Sequence, residues 1–287
     1  MDVFSFLQGA GPLAYGLGAL LVVLSVSALA FALKARSLKK ERILVSTCGY
    51  VAPKPTEKAT NQVRRIFNFL LWIQVGKVTF EGQENVDAVA GGKILCANHA
   101  HWADVGIMPR LVKSTGRFMA HYRVMTALWG MLGVWLSRAG VFVANDNIKD
   151  GGARTREAST KMLMDGETMV IFPEGLTNFS PNVDEFKTGT VRIAREAAKR
   201  MGKPVHIVPA FIRYGKYPTA WLAKLDRAVQ YFVVFFLFPI YRRKARVVVG
   251  KPISTDDFVD AAGNPLSDEA ASEFLRQKVV ELDPGKV

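Results

Sequence analysis

The chain has little cysteine. Its 287 residues include two, Cys48 and Cys96. Two thiols make no disulfide framework, and no C-x2-C spacing marks a zinc knuckle or redox pair. Histidine is also scarce: His99, His101, His121 and His206 are all there is. No cluster of Cys, Asp or Glu stands beside them to complete a metal site. There is no G-x-G-x-x-G, no Walker loop and no G-x-S-x-G, which removes the signatures of dinucleotide binding, P-loop chemistry and a serine nucleophile elbow. No internal repeat and no low-complexity tract is found. Acidic side chains are the minority charge, 25 against 38 Lys and Arg, for a net charge of +13 and a pI near 9.8. That balance points to anionic partners such as lipid headgroups or acidic carrier proteins, and no nucleic-acid module accompanies it. The two cysteines fit a reducing, cytoplasmic setting.

What is abundant is apolar. Hydrophobic residues make up 49% of the chain and the mean hydropathy is +0.13. Those values are high for a freely soluble enzyme and low for a multi-span membrane protein, and the length suits one core plus an anchor. Residues 13–33 carry no charged side chain and are long enough to cross a bilayer as a helix. Lys34, Arg36, Lys39, Lys40 and Arg42 come directly after, with Glu41 against them, and Asp2 is the one charge before. Positive charge after the run predicts that residues beyond it lie on the cytoplasmic face of a cell inner membrane. A signal peptide would carry that charge before the run. A buried or surface-lying helix is the other competing reading.

The expected organisation is therefore a membrane anchor with a basic juxtamembrane segment over 1–45, a connection and interfacial helix over 46–75, and a catalytic domain over 76–287. Within the connection, 46–62 is polar with Pro53 and Pro55. Arg64-Arg65 then leads into an aromatic run at 66–73, suited to the headgroup boundary. A second aromatic segment, 228–241, holds Tyr231, Phe232, Phe235, Phe236 and Phe238 and is trailed by Arg242-Arg243-Lys244. It reads as a helix dipping into one leaflet, with a buried core helix as the alternative.

From 76 onward, β-rich apolar runs recur at 77–80, 94–97, 117–120, 141–143, 168–172, 205–211 and 245–249. Helix-like stretches lie between them at 105–111, 125–138, 153–164 and 190–200, and a last one at 267–282. Such alternation predicts an α/β fold with a largely parallel sheet covered by helices.

The chemistry concentrates after the run at 94–97, in Asn98-His99-Ala100-His101-Trp102-Ala103-Asp104. A strand-to-helix turn here can bring the Asp104 carboxylate back onto the His99 ring. A carboxylate holding one imidazole nitrogen leaves the other to take a proton from a hydroxyl. No nucleophilic Ser or Cys is needed if the hydroxyl belongs to the substrate. About seventy residues later, Phe172-Pro173-Glu174-Gly175 reads as a tight turn at the carboxyl end of a strand, where α/β sheets build sites.

These stretches resemble the H-x4-D family of glycerolipid acyltransferases, the lysophosphatidic acid acyltransferases. His99 and Asp104 match its first block, Gly140-Val141-Phe142-Val143 the second, Phe172-Pro173-Glu174-Gly175 the third and Val208-Pro209-Ala210 the fourth. Phe186-Lys187-Thr188-Gly189 sits where the family has a similar Phe-Lys-x-Gly. The resemblance covers roughly 75–250. It implies that His99 is the general base, that Asp104 orients it, and that Glu174 and Gly175 shape the acceptor site. It also implies a fatty acyl thioester donor, acyl-CoA or acyl carrier protein, and a lysophospholipid acceptor. The leading expectation is 1-acylglycerol-3-phosphate giving phosphatidic acid, with no cofactor and no metal.

The acceptor side departs from the family. A basic residue usual after the second block is Asn145 here, and the usual Glu-Gly-Thr-Arg reads Glu174-Gly175-Leu176-Thr177-Asn178. Two phosphate-gripping cations are missing, for which Lys187, Arg213 or Arg138 would have to substitute. A lysolipid with a phosphodiester or amino-acid headgroup is the alternative acceptor. A lipid hydrolase and a non-catalytic membrane-binding protein are the remaining alternatives. His101, where many members carry a small polar residue, is given a hydrogen-bonding, lipid-headgroup or structural role. The Trp- and Leu-rich stretch 128–136 is expected to line an acyl groove or pack in the core.

Overall fold

Nearly unbroken apolar runs form strands buried on both faces, as parallel strands between helical layers must be. In chain order the elements are α1 (Pro12–Ser37), α2 (Lys39–Val45), α3 (Glu57–Gln74), β1 (Val78–Glu81), α4 (Glu84–Asp87), β2 (Lys93–Ala97), α5 (Asp104–Ile107), β3 (Arg117–His121), α6 (Tyr122–Thr126), α7 (Met131–Ser137), β4 (Val141–Ala144), α8 (Gly151–Met164), β5 (Thr168–Ile171), α9 (Gly189–Met201), β6 (His206–Tyr214), β7 (Ala245–Val249), β8 (Ile253–Ser254) and α10 (Asp268–Val280). The structure is a computed structural model that describes residues 12–112, 116–145, 148–215, 225–226, 229–230, 232–233, 236 and 244–285.

Among the described residues the strands form one sheet in the order β1-β7-β6-β2-β5-β3-β4, with β8 also on β6. The pairs β1–β7, β2–β5, β2–β6, β3–β4 and β3–β5 are parallel. The β6–β7 and β6–β8 pairs are antiparallel, so the sheet is mixed but mostly parallel. Pro209 of the fourth block lies within β6 between its pairing with β8 and its pairing with β7, where a missing N–H disturbs the ladder least.

Alternation along β2 divides the core. Leu95 and Ala97 join Leu71, Ile107, Met108 and Val208 on one face, while Ile94 and Cys96 join Met162, Leu163, Val191, Ala194 and Leu275 on the other. The aliphatic surround holds the Cys96 thiol far above its ordinary pKa, with the neighbouring Glu174 charge adding to the effect. At the amino edge, buried Arg117 forms an ion pair with Glu167 and donates to Ala52 O at 2.9 Å, tying the connection to the sheet.

Several boundaries differ from the sequence reading. Thr56 Oγ1 accepts from Ala59 N at 3.3 Å and starts α3 at Glu57, so the polar connection ends earlier than expected and 66–73 is the last part of an 18-residue helix. The helix expected over 105–111 is α5 followed by a 3-10 turn, Met108–Arg110, entered through Pro109. The helix expected over 125–138 is broken: α6 ends, the chain turns at Leu128–Gly130, and α7 folds back. Gly133 permits that return, because a Cβ there would lie 2.1 Å from Met125 O. β6 runs on to Tyr214, three residues past the expected end, and β8 was not foreseen.

The apolar N-terminal run is helical. Residues 19–37 have a mean hydropathy of 1.9 and are 6% buried, so α1 is long and apolar enough to cross a membrane. The segment 228–241 lies largely outside the described residues. Of its members, Phe232 and Phe236 are exposed, with ring centroids 4.6 Å apart.

Candidate active site

β2 ends at Ala97, and the next residue fixes the site's floor. Asn98 Nδ2 donates to Ile212 O at 3.1 Å and Ile212 N donates to Asn98 Oδ1 at 2.7 Å. The side chain thus continues the β2–β6 ladder where the β2 backbone turns away. His99 emerges at the carboxyl edge, its ring stacked on Phe172 at 4.2 Å and 16° and its side chain 14% exposed.

The turn 99–104 does what the spacing predicts. Asp104 opens α5 fully buried and lies 3.0 Å from His99 Nδ1 through Oδ2. The same oxygen accepts from His101 N at 2.8 Å, and Oδ1 accepts from Tyr214 Oη at 2.5 Å. An ionised carboxylate only accepts, so His99 Nδ1 carries the proton and Nε2 offers a lone pair. That is a histidine poised to accept a proton from a bound hydroxyl.

Glu174 holds the backbone of this loop. Its Oε1 accepts from His99 N at 2.6 Å, while Oε2 accepts from Asn178 Nδ2 at 2.7 Å and Asp184 N at 3.1 Å. Asn178 N closes the clamp on His99 O at 3.0 Å. Burial raises the Glu174 pKa, against the pull of the His99 and Asp184 N–H groups. Gly175 has φ +79°, and a Cβ there would meet Lys187 Nζ at 3.0 Å, so Lys187 lies across this turn. Lys187 N also donates to Pro173 O at 3.0 Å. Thr177 is buried.

The remaining residues named from sequence do not gather here. Asn145 sits on the same carboxyl edge just after β4, three strand spacings from β2, or about 14 Å away. Arg213 alternates with Tyr214 on β6 and therefore faces the other side of the sheet, where it pairs with Asp283 at 2.8 Å. Its expected place beside the acceptor is corrected on that ground. Arg138 forks onto Glu41 at 3.0 and 3.1 Å, at the foot of α1. His101 is buried: its Nδ1 accepts from Ala103 N at 3.1 Å, and its ring centroid lies 5.2 Å from that of Tyr214 and 6.1 Å from that of Phe179. Of the expected acyl groove, Val134 and Leu136 are buried and Leu128 and Trp129 stand exposed.

Sequence reasoning missed Tyr214, and missed Asn98 and Asn178 as positioning groups. The Asn residues flank motif blocks, which was a usable signal. Tyr214 lies 110 residues from its partner, and nothing local marks it.

Comparison with known proteins bears on the matched span and the fold. Residues 77–213 match the acyltransferase family. The chain is similar to a lyso-ornithine lipid O-acyltransferase of Rhizobium meliloti (strain 1021), 30% identical over 124 residues, covering 42% of this chain and 40% of that protein. The fold is similar to the crystal structure of the 1-acyl-sn-glycerophosphate (LPA) acyltransferase PlsC from Thermotoga maritima, with a TM-score of 0.51 and 18% identity over 91% of this chain and 98% of that one. The ordered blocks, from His99 to Ala210, lie within the span 77–213 that matches the acyltransferase family, and the fold around them is similar to that of a solved acyltransferase.

Proposed function

We propose that the protein is a membrane-bound O-acyltransferase that moves a fatty acyl group from a thioester, acyl-CoA or acyl carrier protein, to the hydroxyl of a lysolipid. The His99–Asp104 pair supports the chemistry. His99 Nε2 takes the acceptor proton as the oxygen attacks the thioester carbonyl. The new C–O bond forms, the tetrahedral intermediate collapses, the C–S bond breaks, and the proton passes from His99 to the leaving thiolate. The apolar α1, with Lys34, Arg36, Lys39 and Lys40 after it, supports attachment to the inner membrane with the domain on its cytoplasmic side. The residues need no cofactor for this step.

The acceptor we favour carries an amino-acid headgroup, as in a lyso-ornithine lipid. One observation carries this choice: Asn145 and Thr177 stand where the family's phosphate-binding cations are expected, and the candidate substitutes Arg213 and Arg138 are held in ion pairs with Asp283 and Glu41. A phosphate monoester is held well by such cations and poorly without them. The similarity to a lyso-ornithine lipid O-acyltransferase points the same way. The second reading, 1-acylglycerol-3-phosphate giving phosphatidic acid, is favoured by Lys187 lying across Gly175.

The test offers acyl-CoA and acyl carrier protein to the detergent-solubilised full chain with lyso-ornithine lipid, lysophosphatidic acid and lysophosphodiesters. Preferred transfer to lyso-ornithine lipid supports the assignment. Transfer confined to lysophosphatidic acid overturns it in favour of the second reading.

A further inference from the structure

The carboxyl edge of the sheet holds a feature that proton transfer at His99 does not use. Between α6 and α7 the backbone is left-handed at three successive residues, Leu128 at φ 50°, Trp129 at φ 53° and Gly130 at φ 80°. Glycine takes that conformation freely. A bulky L-residue does so only where its surroundings impose it, and such strain gathers at working surfaces. Here it leaves both bulky side chains exposed. Leu128 is 65% exposed and Trp129, at 71%, is the most exposed large apolar side chain among the described residues.

The neighbours identify what covers these side chains. The Trp129 ring lies 5.7 Å from that of Phe31 in α1, three residues before Lys34. Gly130 abuts Arg42, whose Cβ would lie 3.3 Å from a Cβ at that glycine, and Arg138 grips Glu41. The foot of α1 is thus fastened to the corner from which Leu128 and Trp129 project. Lys34, Arg36, Lys39 and Lys40 are exposed around it. A helix crossing the bilayer at residues 19–37 puts Phe31 near the end of the hydrocarbon layer, the depth that Trp prefers. The same turn comes after β3 through α6, and β3 is two strands from β2, so it rises from the edge that bears His99.

We infer that Leu128 and Trp129 form a wedge that inserts into the membrane interface and seats the catalytic edge on lipid. The inference rests on the reading of α1 as a membrane span. It is tested in the full chain reconstituted into vesicles of phosphatidylethanolamine and phosphatidylglycerol, with lipids brominated near the top of the acyl chain. An environment-sensitive fluorophore is placed on L128C, on L24C within α1, or on V259C toward the amino edge. The unsubstituted chain, whose Cys48 and Cys96 are buried, gives the labelling background. The wedge predicts blue-shifted, bromine-quenched emission at 128 and at 24, and neither effect at 259. Quenching at 24 without quenching at 128 overturns the wedge and leaves the span standing. No quenching at either overturns both, and quenching at 259 equal to that at 128 overturns the wedge as a specific contact.

Discussion

Tyr214 Oη donates to Asp104 Oδ1 at 2.5 Å, from the end of β6 to the first residue of α5, with both side chains buried. The His99–Asp104 pair therefore has a third member behind it. A hydrogen bond to a charged group contributes about 1.5–3 kcal/mol, so losing this one should misplace the carboxylate more than it unfolds the chain. We expect Tyr214→Phe to lower kcat about tenfold or more at nearly unchanged KM, since about 1.4 kcal/mol is tenfold in rate. Steady-state kinetics beside a thermal melt checks this. Equal loss in kcat and in folded fraction would reduce Tyr214 to packing.

Asp104 accepts three donors: His99 Nδ1, His101 N and Tyr214 Oη. Asparagine of the same shape must turn an NH2 toward at least one of them. Asp104→Asn should cost kcat a factor of about 10²–10⁴, the range of a positioned acid–base group, while Kd for the acceptor changes little. Measuring lipid binding and turnover on the same preparation separates the two.

Burial raises the Glu174 pKa above its ordinary value, the opposite of the usual carboxylate case. The folded chain then binds this proton before the unfolded chain does. Its contribution to stability is fully present below the unfolded-chain pKa and is lost as pH rises through the folded value. Denaturant unfolding of wild type and Glu174→Gln across that range should show the wild type gaining on the variant as pH falls. The variant also sets an NH2 against donors that Glu174 now accepts, so His99 is held less firmly and kcat should drop at neutral pH. A pH-independent difference in stability would contradict this account.

Arg117 and Glu167 are buried at the sheet's amino edge, away from His99. Removing one partner of a buried pair costs about 3–5 kcal/mol. Arg117→Met should lower the unfolding free energy by that order while leaving the rate per folded molecule intact. Arg246→Ala, which breaks an exposed pair with Glu81, should leave the melt nearly unchanged.

Much of this was legible in the sequence because it is local. Continuous apolar runs gave the buried parallel strands, and a five-residue spacing gave the His99–Asp104 turn. What was illegible depends on period and on distance. Arg213 and Tyr214 are adjacent, yet strand alternation sends one to Asp283 and the other to Asp104. Which of the two reaches the site depends on the register of β6 on β2, and no local signal carries it. The break at 127–130 was hidden for another reason: Leu128 and Trp129 adopt a backbone that their side chains disfavour, so propensity pointed to a helix. Glu174 was read as shaping the acceptor site, and its bond to the His99 backbone appears only when β2 and β5 lie side by side.

The central claim is that His99 removes the acceptor proton in acyl transfer from a thioester. The most direct measurement tracks free thiol released from acyl-CoA or acyl carrier protein, with and without the preferred lysolipid, in wild type and His99→Ala. The account predicts acceptor-dependent thiol release with matching acylated lipid, reduced at least about 10²-fold in the variant while lipid binding persists. Transfer that survives in His99→Ala at the wild-type rate would contradict it, as would the absence of acceptor-dependent release with every lysolipid offered.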